Sequence, residues 1–383
     1  MNTICLNMIV KNEKHVIRRC LEAVKGVIDY WVIVDTGSTD GTQEIIRECM
    51  KGLPGQLYER PWRDFAFNRN EALDLAAGKG DYLLLVDADE VMHITSGFRK
   101  SSLSKDYYYL KTVGSGQEFF FPKLIRNDPL WRWVGALHET LQNRGQSVGD
   151  WLLSIWTESI QDGARSKDPQ KHEKDIAILH QMVAEDPKEP RAYFYLAQTY
   201  FNAQKFEEAL RYYQLRGQME GAHDETFWSL FFVGQIEEFL KKDPKISCRS
   251  YSKAYEFDPL RAEPLERMAN FYLESRNYSL GYILMKHASS LPRPTPLSAG
   301  CYSWVYHFAI DAILADCSVH LGKIQEAQMV YKNLLKKQNI PLALRAHAET
   351  QLTKIDQWNR SSVQDQKRIV FSTMPIFLTF RFG

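Results

Sequence analysis

Two carboxylates, Asp87 and Asp89, follow the apolar run Tyr82-Leu83-Leu84-Leu85-Val86 and are separated only by Ala88. At an extended strand end, residues i and i+2 project to the same side. The pair is therefore expected to present two carboxylates together, with Ala88 small enough for a ligand to come close. Hard cations such as Mg²⁺ and Mn²⁺ take oxygen ligands and commonly bridge one or two carboxylates to substrate phosphates. Where a leaving group carries a diphosphate, such a cation stabilises the negative charge that grows as the bond breaks. The same spacing also occurs in plain solvated acidic turns, so the spacing alone leaves both readings open.

The elements that would position this pair alternate between short apolar runs and helical periodicity, which predicts α/β architecture with a mainly parallel sheet. Ile4-Cys5-Leu6-Asn7-Met8-Ile9-Val10 reads as a first strand, and residues 13–24 as a helix. Trp31-Val32-Ile33-Val34 is a second strand, apolar throughout, as expected when helices cover both faces. Asp35-Thr36-Gly37-Ser38-Thr39-Asp40-Gly41-Thr42 is a turn-forming run ending in capping residues, with helix expected over 43–50 and again over 67–77. Open α/β sheets bind ligands beyond the carboxyl ends of their strands. Three polar clusters are predicted to converge there: Lys11-Asn12-Glu13, the run from Asp35 to Ser38, and Asp87-Ala88-Asp89-Glu90.

Four stretches in this region resemble the inverting glycosyltransferases of family 2, which have a Rossmann-like GT-A fold. They are Met8-Ile9-Val10-Lys11-Asn12-Glu13, Val34-Asp35-Thr36-Gly37-Ser38-Thr39-Asp40-Gly41-Thr42, Asn68-Arg69-Asn70-Glu71-Ala72-Leu73 and Leu85-Val86-Asp87-Ala88-Asp89-Glu90. All four occur in the family's order, within about the first 140 residues. The resemblance implies a UDP-sugar donor and a Mn²⁺ or Mg²⁺ ion. By motif, Asp35 would hydrogen-bond the uracil or ribose, beside the strand-end backbone of Ile9, Val10 and Lys11 and the residues Asn12, Glu13, Gly37 and Ser38. Arg69 would lie near the diphosphate, Asp87 near the ribose and metal with Ala88 beside it, and Asp89 would ligate the metal directly. Each residue also has a purely structural reading. Asp35 and Ser38 would shape the turn and cap the next helix, and Gly37 would supply a positive φ. Asn12 and Glu13 would simply start a helix, and Arg69 would be a surface charge.

Residues 107–141 are dense in aromatics and contain Pro122-Lys123-Leu124-Ile125-Arg126-Asn127 and Trp133-Val134-Gly135-Ala136-Leu137-His138-Glu139. This order resembles the acceptor side of family 2 members that carry tetratricopeptide repeats. Inverting transfer needs a group that takes the acceptor proton on the face opposite the leaving group. Glu139 is the first candidate for that base, and His138 for a further metal ligand or diphosphate contact; the two assignments are interchangeable, and a satisfied histidine beside a surface glutamate is the plain alternative. Trp131 and Trp133 would stack on sugar or acceptor, or fill the core.

The chain has 383 residues, and its 48 basic against 47 acidic side chains give a net charge of +1, so no whole-chain field favours nucleic acid or anionic membrane. Six scattered cysteines without a Cys-x-x-Cys pair predict reduced thiols. The N-terminus does not read as a signal peptide, and no apolar stretch approaches the ~20 residues needed to span a bilayer. A cytoplasmic enzyme is expected.

Beyond about residue 165 strand signals vanish. Leu196-Ala197 followed by Phe206-Glu207-Glu208-Ala209 is echoed by Leu314-Ala315 followed by Ile324-Gln325-Glu326-Ala327, and Asp186-Pro187 and Asp258-Pro259 stand 72 apart, about twice the ~34-residue tetratricopeptide period. This resembles a degenerate tetratricopeptide array, an ordinary helical bundle being the alternative. The expected organisation is a GT-A domain over 1–160, helical repeats over 165–360 and a tail over 361–383 that ends apolar and β-prone. Concave repeat surfaces grip peptides, so a protein or peptide acceptor is expected, as in the bacterial peptide glycosyltransferases this architecture resembles. The alternatives are a glycan or lipid-linked acceptor with the repeats serving assembly or homodimerisation, and a repeat scaffold with an inactive transferase domain.

Overall fold

The structure, a computed structural model, describes residues 2–114, 117–294, 300–366 and 368–374. Its first compact unit, which extends to Ala203, is built on an eight-stranded sheet of order β3-β2-β1-β4-β7-β6-β10-β5. Four parallel strands, β1 (Ile4–Val10), β2 (Tyr30–Asp35), β3 (Gly55–Glu59) and β4 (Tyr82–Leu85), form one half, linked by α1 (Ile17–Val24), α2 (Thr42–Cys49) and α3 (Phe65–Leu75). The other half is mixed. β7 (Gln117–Arg126) runs antiparallel to β4 and to β6 (Tyr107–Gly114), β10 (Gly149–Ser159) is parallel to β6, and β5 (Glu90–Ile94) closes the edge antiparallel to β10. The mainly parallel expectation therefore holds for the first half alone. In the second half, short connections replace helical crossovers, and short connections join only antiparallel neighbours. A separate ribbon pairs β8 (Trp131–Val134) with β9 (Thr140–Asn143).

Burial explains the patterning of the first half. Alternate residues of β1 face two cores, with Ile4, Leu6, Met8 and Val10 on the α1–α2 side and Cys5 on the side of Leu73, Leu83 and Trp131. Both faces are covered, so the strands are apolar nearly throughout. α1 buries Ile17, Cys20, Leu21 and Val24, one helical stripe. Strand register sets the carboxyl ends level, with Val10 beside Asp35 and Asn7 beside Leu85. Asn7, buried on the second face, donates from Nδ2 to the Ala72 carbonyl at 2.7 Å and so fixes α3 against the sheet.

The all-helical region begins with α4 (Lys171–Glu185) and α5 (Pro190–Asn202), which fall in the first compact unit, so the units divide at Ala203 and Gln204 and not where the last strand ends. The second unit contains α6 (Phe206–Arg216), α7 (His223–Phe239), α8 (Pro244–Phe257), α9 (Glu263–Glu274), α10 (Tyr278–Ala288), α11 (Ile310–His320), α12 (Ile324–Leu335) and α13 (Leu342–Arg360). Within it, successive helices pack on one another. The repeated alanines Ala209, Ala315 and Ala327 are fully buried where these helices meet. The apolar tail segment 375–383 lies outside the described residues.

Glycine permits close contacts between neighbouring helices. A Cβ added to Gly234 of α7 would stand 2.8 Å from the buried Tyr251 ring of α8, which has no space to move into. Gly234→Ala is expected to destabilise the helical unit by about 1–3 kcal/mol, the usual cost of overpacking. Denaturant unfolding of the variant checks this, and unchanged stability would mean that the α7–α8 contact is looser than described.

Candidate functional site

The ends of β1, β2 and β4 open onto a cleft of about 880 Å³, whose lining includes Val10, Asn12, Arg69, Asp87, Asp89 and Ala164. Its first wall is two loops stapled together. Asp35 Oδ1 accepts from the amides of Gly37 (2.9 Å) and Ser38 (2.8 Å). Ser38 Oγ accepts from the Asn12 amide at 2.8 Å, and Asn12 Oδ1 accepts from the Thr39 amide at 2.8 Å. Asn12 (φ +56°) and Gly37 (φ +106°) both sit in the left-handed region that these turns require. Asn12, Gly37 and Ser38 are thus braces, and what they hold in place is Asp35. Its Oδ2 is buried and has no hydrogen-bond partner.

The second wall is the turn at 87–89. The chain leaves β4 after Leu85 and folds back, with the Glu90 amide donating to the Asp87 carbonyl at 3.1 Å, so the pair sits on a reverse turn and not on an extended strand end. Asp87 Oδ1 accepts from Arg69 Nη2 at 2.7 Å, while Arg69 Nε donates to Glu139 Oε1 at 2.6 Å. One guanidinium therefore joins two carboxylates far apart in sequence. Partial desolvation would raise the Asp87 carboxyl, but Arg69 and Lys123 outweigh it and hold Asp87 below the usual range. Arg69 also lies over the Trp133 ring, 5.0 Å from its centroid, a cation–π arrangement.

The motif around Arg69 divides its labour. Asn68 accepts from the Arg63 amide (3.0 Å) and donates to the Pro61 carbonyl (3.0 Å), which shapes the entry to α3. Asn70 grips both backbone groups of Trp133, accepting from its amide at 2.8 Å and donating to its carbonyl at 2.9 Å. That clamp docks the β8–β9 ribbon on α3 and brings Glu139 to Arg69. Trp131 belongs to the core, with 4% exposure.

Asp89 lies in the opposite sense. A Cβ added to Gly163 would stand 3.3 Å from Asp89 Oδ2 and from both oxygens of Glu13, so only glycine fits between these carboxylates without displacing them. The Ala164 amide donates to Glu13 (3.1 Å). Segment 160–165 is anchored by Arg19, whose guanidinium pairs with Asp162, and by the His15 ring 2.7 Å from the Asp162 carbonyl. Burial, then the negative charge of Asp87 and Glu90, raises the Asp89 carboxyl above its ordinary range, and burial followed by Asp89 does the same to Glu13.

His138 was expected beside Asp87 and Asp89, and the structure takes it elsewhere. Its backbone is left-handed (φ +54°), its ring stacks on Tyr195 of α5 with centroids 3.9 Å apart, and its carbonyl accepts from Arg191. Desolvation of the stacked ring, then the nearby Arg165, Arg191 and Lys171, lower its pKa. Among the described residues, no group of three or more His, Cys, Asp or Glu side chains is arranged to hold a metal ion, so the expected trio with His138 reduces to the two aspartates.

A further residue braces the site from within the sheet. Lys123 on β7 is 8% exposed and pairs with Glu90 Oε1, while Glu90 Oε2 accepts the Asp87 amide at 3.1 Å. A buried lysine thus fixes the turn at 87–89 from beneath. The signal for it is the position of Lys123 between the apolar runs Phe119-Phe120-Phe121 and Leu124-Ile125. Lys123→Met, which leaves Glu90 buried without a cation, is expected to cost about 3–5 kcal/mol. Adding Glu90→Gln removes the uncompensated charge and should recover most of that loss in denaturant unfolding. A single variant as stable as wild type would remove the pair from this role.

Comparison with known proteins fits this geometry. Residues 5–96, which run from β1 to β5, match the model of Glycosyl transferase family 2. The glycosyltransferase SunS of Bacillus subtilis is 23% identical over 225 residues, covering 55% of this chain and 52% of its own length. A TPR repeat-containing protein of Synechococcus elongatus is 31% identical over 169 residues, covering 41% of this chain and 40% of its own. The chain thus spans about half or less of the length of these curated relatives. A solved C-terminal part of a TPR repeat-containing protein from Cytophaga hutchinsonii aligns with a TM-score of 0.39 at 11% identity, over 51% of this chain and 70% of its own.

Proposed function

We propose that this chain transfers a sugar from a UDP-sugar to a protein or peptide acceptor, with inversion at the anomeric carbon, in the cleft at the strand ends. The observation that carries the reading is a single cleft lined by the Asp87-Ala88-Asp89 turn and by the guanidinium that ties Asp87 to Glu139. The nucleoside lies along the ends of β1 and β2. There the buried Asp35 Oδ2 has no donor, an expensive state that a base N–H relieves. Lys11, Arg63, Arg69 and Arg165 line the same cleft, a basic wall suited to a diphosphate.

The residues fit a divalent cation. Asp89 is half-buried among like charges that raise its carboxyl, and one or two carboxylates suffice when substrate phosphates complete the coordination. Asp89 would hold the ion directly, with Asp87 beside it, and the bound Mn²⁺ or Mg²⁺ would neutralise charge developing on the departing diphosphate. Glu139 takes the proton from the acceptor nucleophile as it attacks the face opposite the leaving group. Arg69 keeps that carboxylate aimed, because α3 holds Arg69 and the β8–β9 ribbon, docked on α3 by Asn70, brings Glu139 to it.

The test is nucleoside diphosphate release by the full chain from a panel of UDP- and GDP-sugars, with Mn²⁺ and then with EDTA. Turnover with at least one UDP-sugar, abolished by EDTA, is expected. Asp89→Ala should lower it by about 10²-fold or more, the scale of losing a charge-stabilising contact at the leaving group. Silence with every donor, or wild-type turnover in the Asp89 variant, sinks the reading. Glu139→Gln should lower transfer by about 10²–10⁴-fold while donor affinity holds, as for loss of a general base; equal losses in both would remove Glu139 from the role of base.

A further inference from the structure

The cleft extends beyond the donor groups. Lys171, Lys174, Ile178, Gln181, Met182 and Glu185 of α4 line it together with Asp87 and Asp89. Their spacing of three, four and seven residues marks one face of the helix. Leu179, on the other side of α4, is fully buried. Lys174, Ile178, Gln181 and Glu185 on the lining face are exposed, Ile178 at 37%.

This face has a direction. Gly163 touches Asp89 and Glu13, and Arg165 lies over the Phe65 ring at 4.5 Å and pairs with Asp175 of α4, so the first turns of α4 adjoin the carboxylate cluster. Glu185 lies about 21 Å further along the axis, at 1.5 Å per residue. From the cluster outward the face reads basic (Lys171, Lys174), with the buried Asp175 beside them paired to Arg165, then apolar (Ile178, Met182), then acidic (Glu185). Lys174 is held by Asp168 at 2.7 Å, and Gln181 donates to Glu185 at 2.8 Å.

Resting on the transferase reading above, we propose that this face of α4 is the acceptor subsite, and that the acceptor is an extended polypeptide segment. Its modified residue lies at the carboxylate cluster, an aliphatic side chain sits on Ile178 and Met182, and a basic side chain further along meets Glu185. The chemistry favours a polypeptide. Sugar rings pack on aromatic faces; the aromatics that line the cleft, Trp62 and Phe65, stand at the entry to α3, with Arg165 over the Phe65 ring, and the lining face of α4 carries none. An acyl chain needs unbroken apolar surface, and Lys174, Gln181 and Glu185 interrupt this one within single turns. A peptide of alternating apolar and charged side chains matches it, and about 21 Å accommodates six or seven extended residues at 3.3–3.6 Å each.

The experiment offers the full chain, with Mn²⁺ and the active UDP-sugar, an arrayed library of ten-residue peptides. Each carries one Ser, Thr or Cys, an aliphatic residue at varied offset and Lys or Glu at varied offset. Selection of peptides with the aliphatic residue three to five positions from the modified one and Lys beyond it is expected. Ile178→Asp should raise the peptide KM by about tenfold or more, the scale of losing a small apolar contact, while the donor KM moves much less. Glu185→Lys should turn the preference from Lys to Glu. A library in which no peptide is modified, although donor turnover is intact, overturns the polypeptide claim. Selection and peptide KM indifferent to both substitutions overturn the subsite. Absence of donor turnover in the wild-type chain overturns the transferase reading itself, and this proposal with it.

Discussion

One guanidinium organises the site. Arg69 donates to Asp87 from Nη2 and to Glu139 from Nε, and its side chain is only 15% exposed. Without that cation, two carboxylates at one cleft would repel each other, and a half-buried arrangement strengthens the repulsion. Their common geometry therefore depends on where α3 holds Arg69. Asn7 pins α3 through the Ala72 carbonyl, and Asn70 pins the β8–β9 ribbon to α3 through both backbone groups of Trp133. The polar residues around Arg69 earn their places by docking elements.

The carboxylate cluster beyond Arg69 is balanced from two sides. Lys123 neutralises Glu90 beneath the turn, and Arg19 anchors segment 160–165 above it through Asp162. Backbone amides of that segment approach Asp89 and Glu13, which lie in surroundings that raise both carboxyls. The Asp89 carboxylate has little side-chain compensation of its own, and like charges around it are the electrostatic condition that favours a cation. The same organisation explains why Asp87, whose carboxylate bonds Arg69, and Asp89, whose carboxylate pairs with no cation among the described residues, are shifted in opposite directions although they are two residues apart.

The first helical pair belongs to this machinery. α4 begins shortly after the segment that covers Glu13 and Asp89, and one of its faces forms a wall of the cleft. Tyr195 of α5 supplies the ring on which His138 stacks. The helical half thus starts as part of the first compact unit, and the remaining helices, from α6 onward, form the second.

The sequence by itself determined the location of the site. Strands covered on both faces must be apolar nearly throughout, so β1, β2 and β4 were legible within one or two residues, and the polar clusters at their ends had to face one edge of the sheet. Asp35 with Gly37 and Ser38 was legible because a turn's hydrogen bonds run between near neighbours. Tertiary structure decided which side chains meet there. Arg69 and Glu139 are 70 residues apart, and Lys123 and Glu90 are 33 apart, and no periodicity relates them. Asp87 and Asp89 were read as a strand end facing one way, but a reverse turn sends one to Arg69 and the other toward Gly163. His138 was read as a companion of the aspartates, and a left-handed backbone with a stacking partner 57 positions on carried it to Tyr195. Local sequence specifies the elements through burial and turn chemistry. Side-chain direction at a turn is set by its dihedrals and by what docks against it, and those are properties of the folded chain.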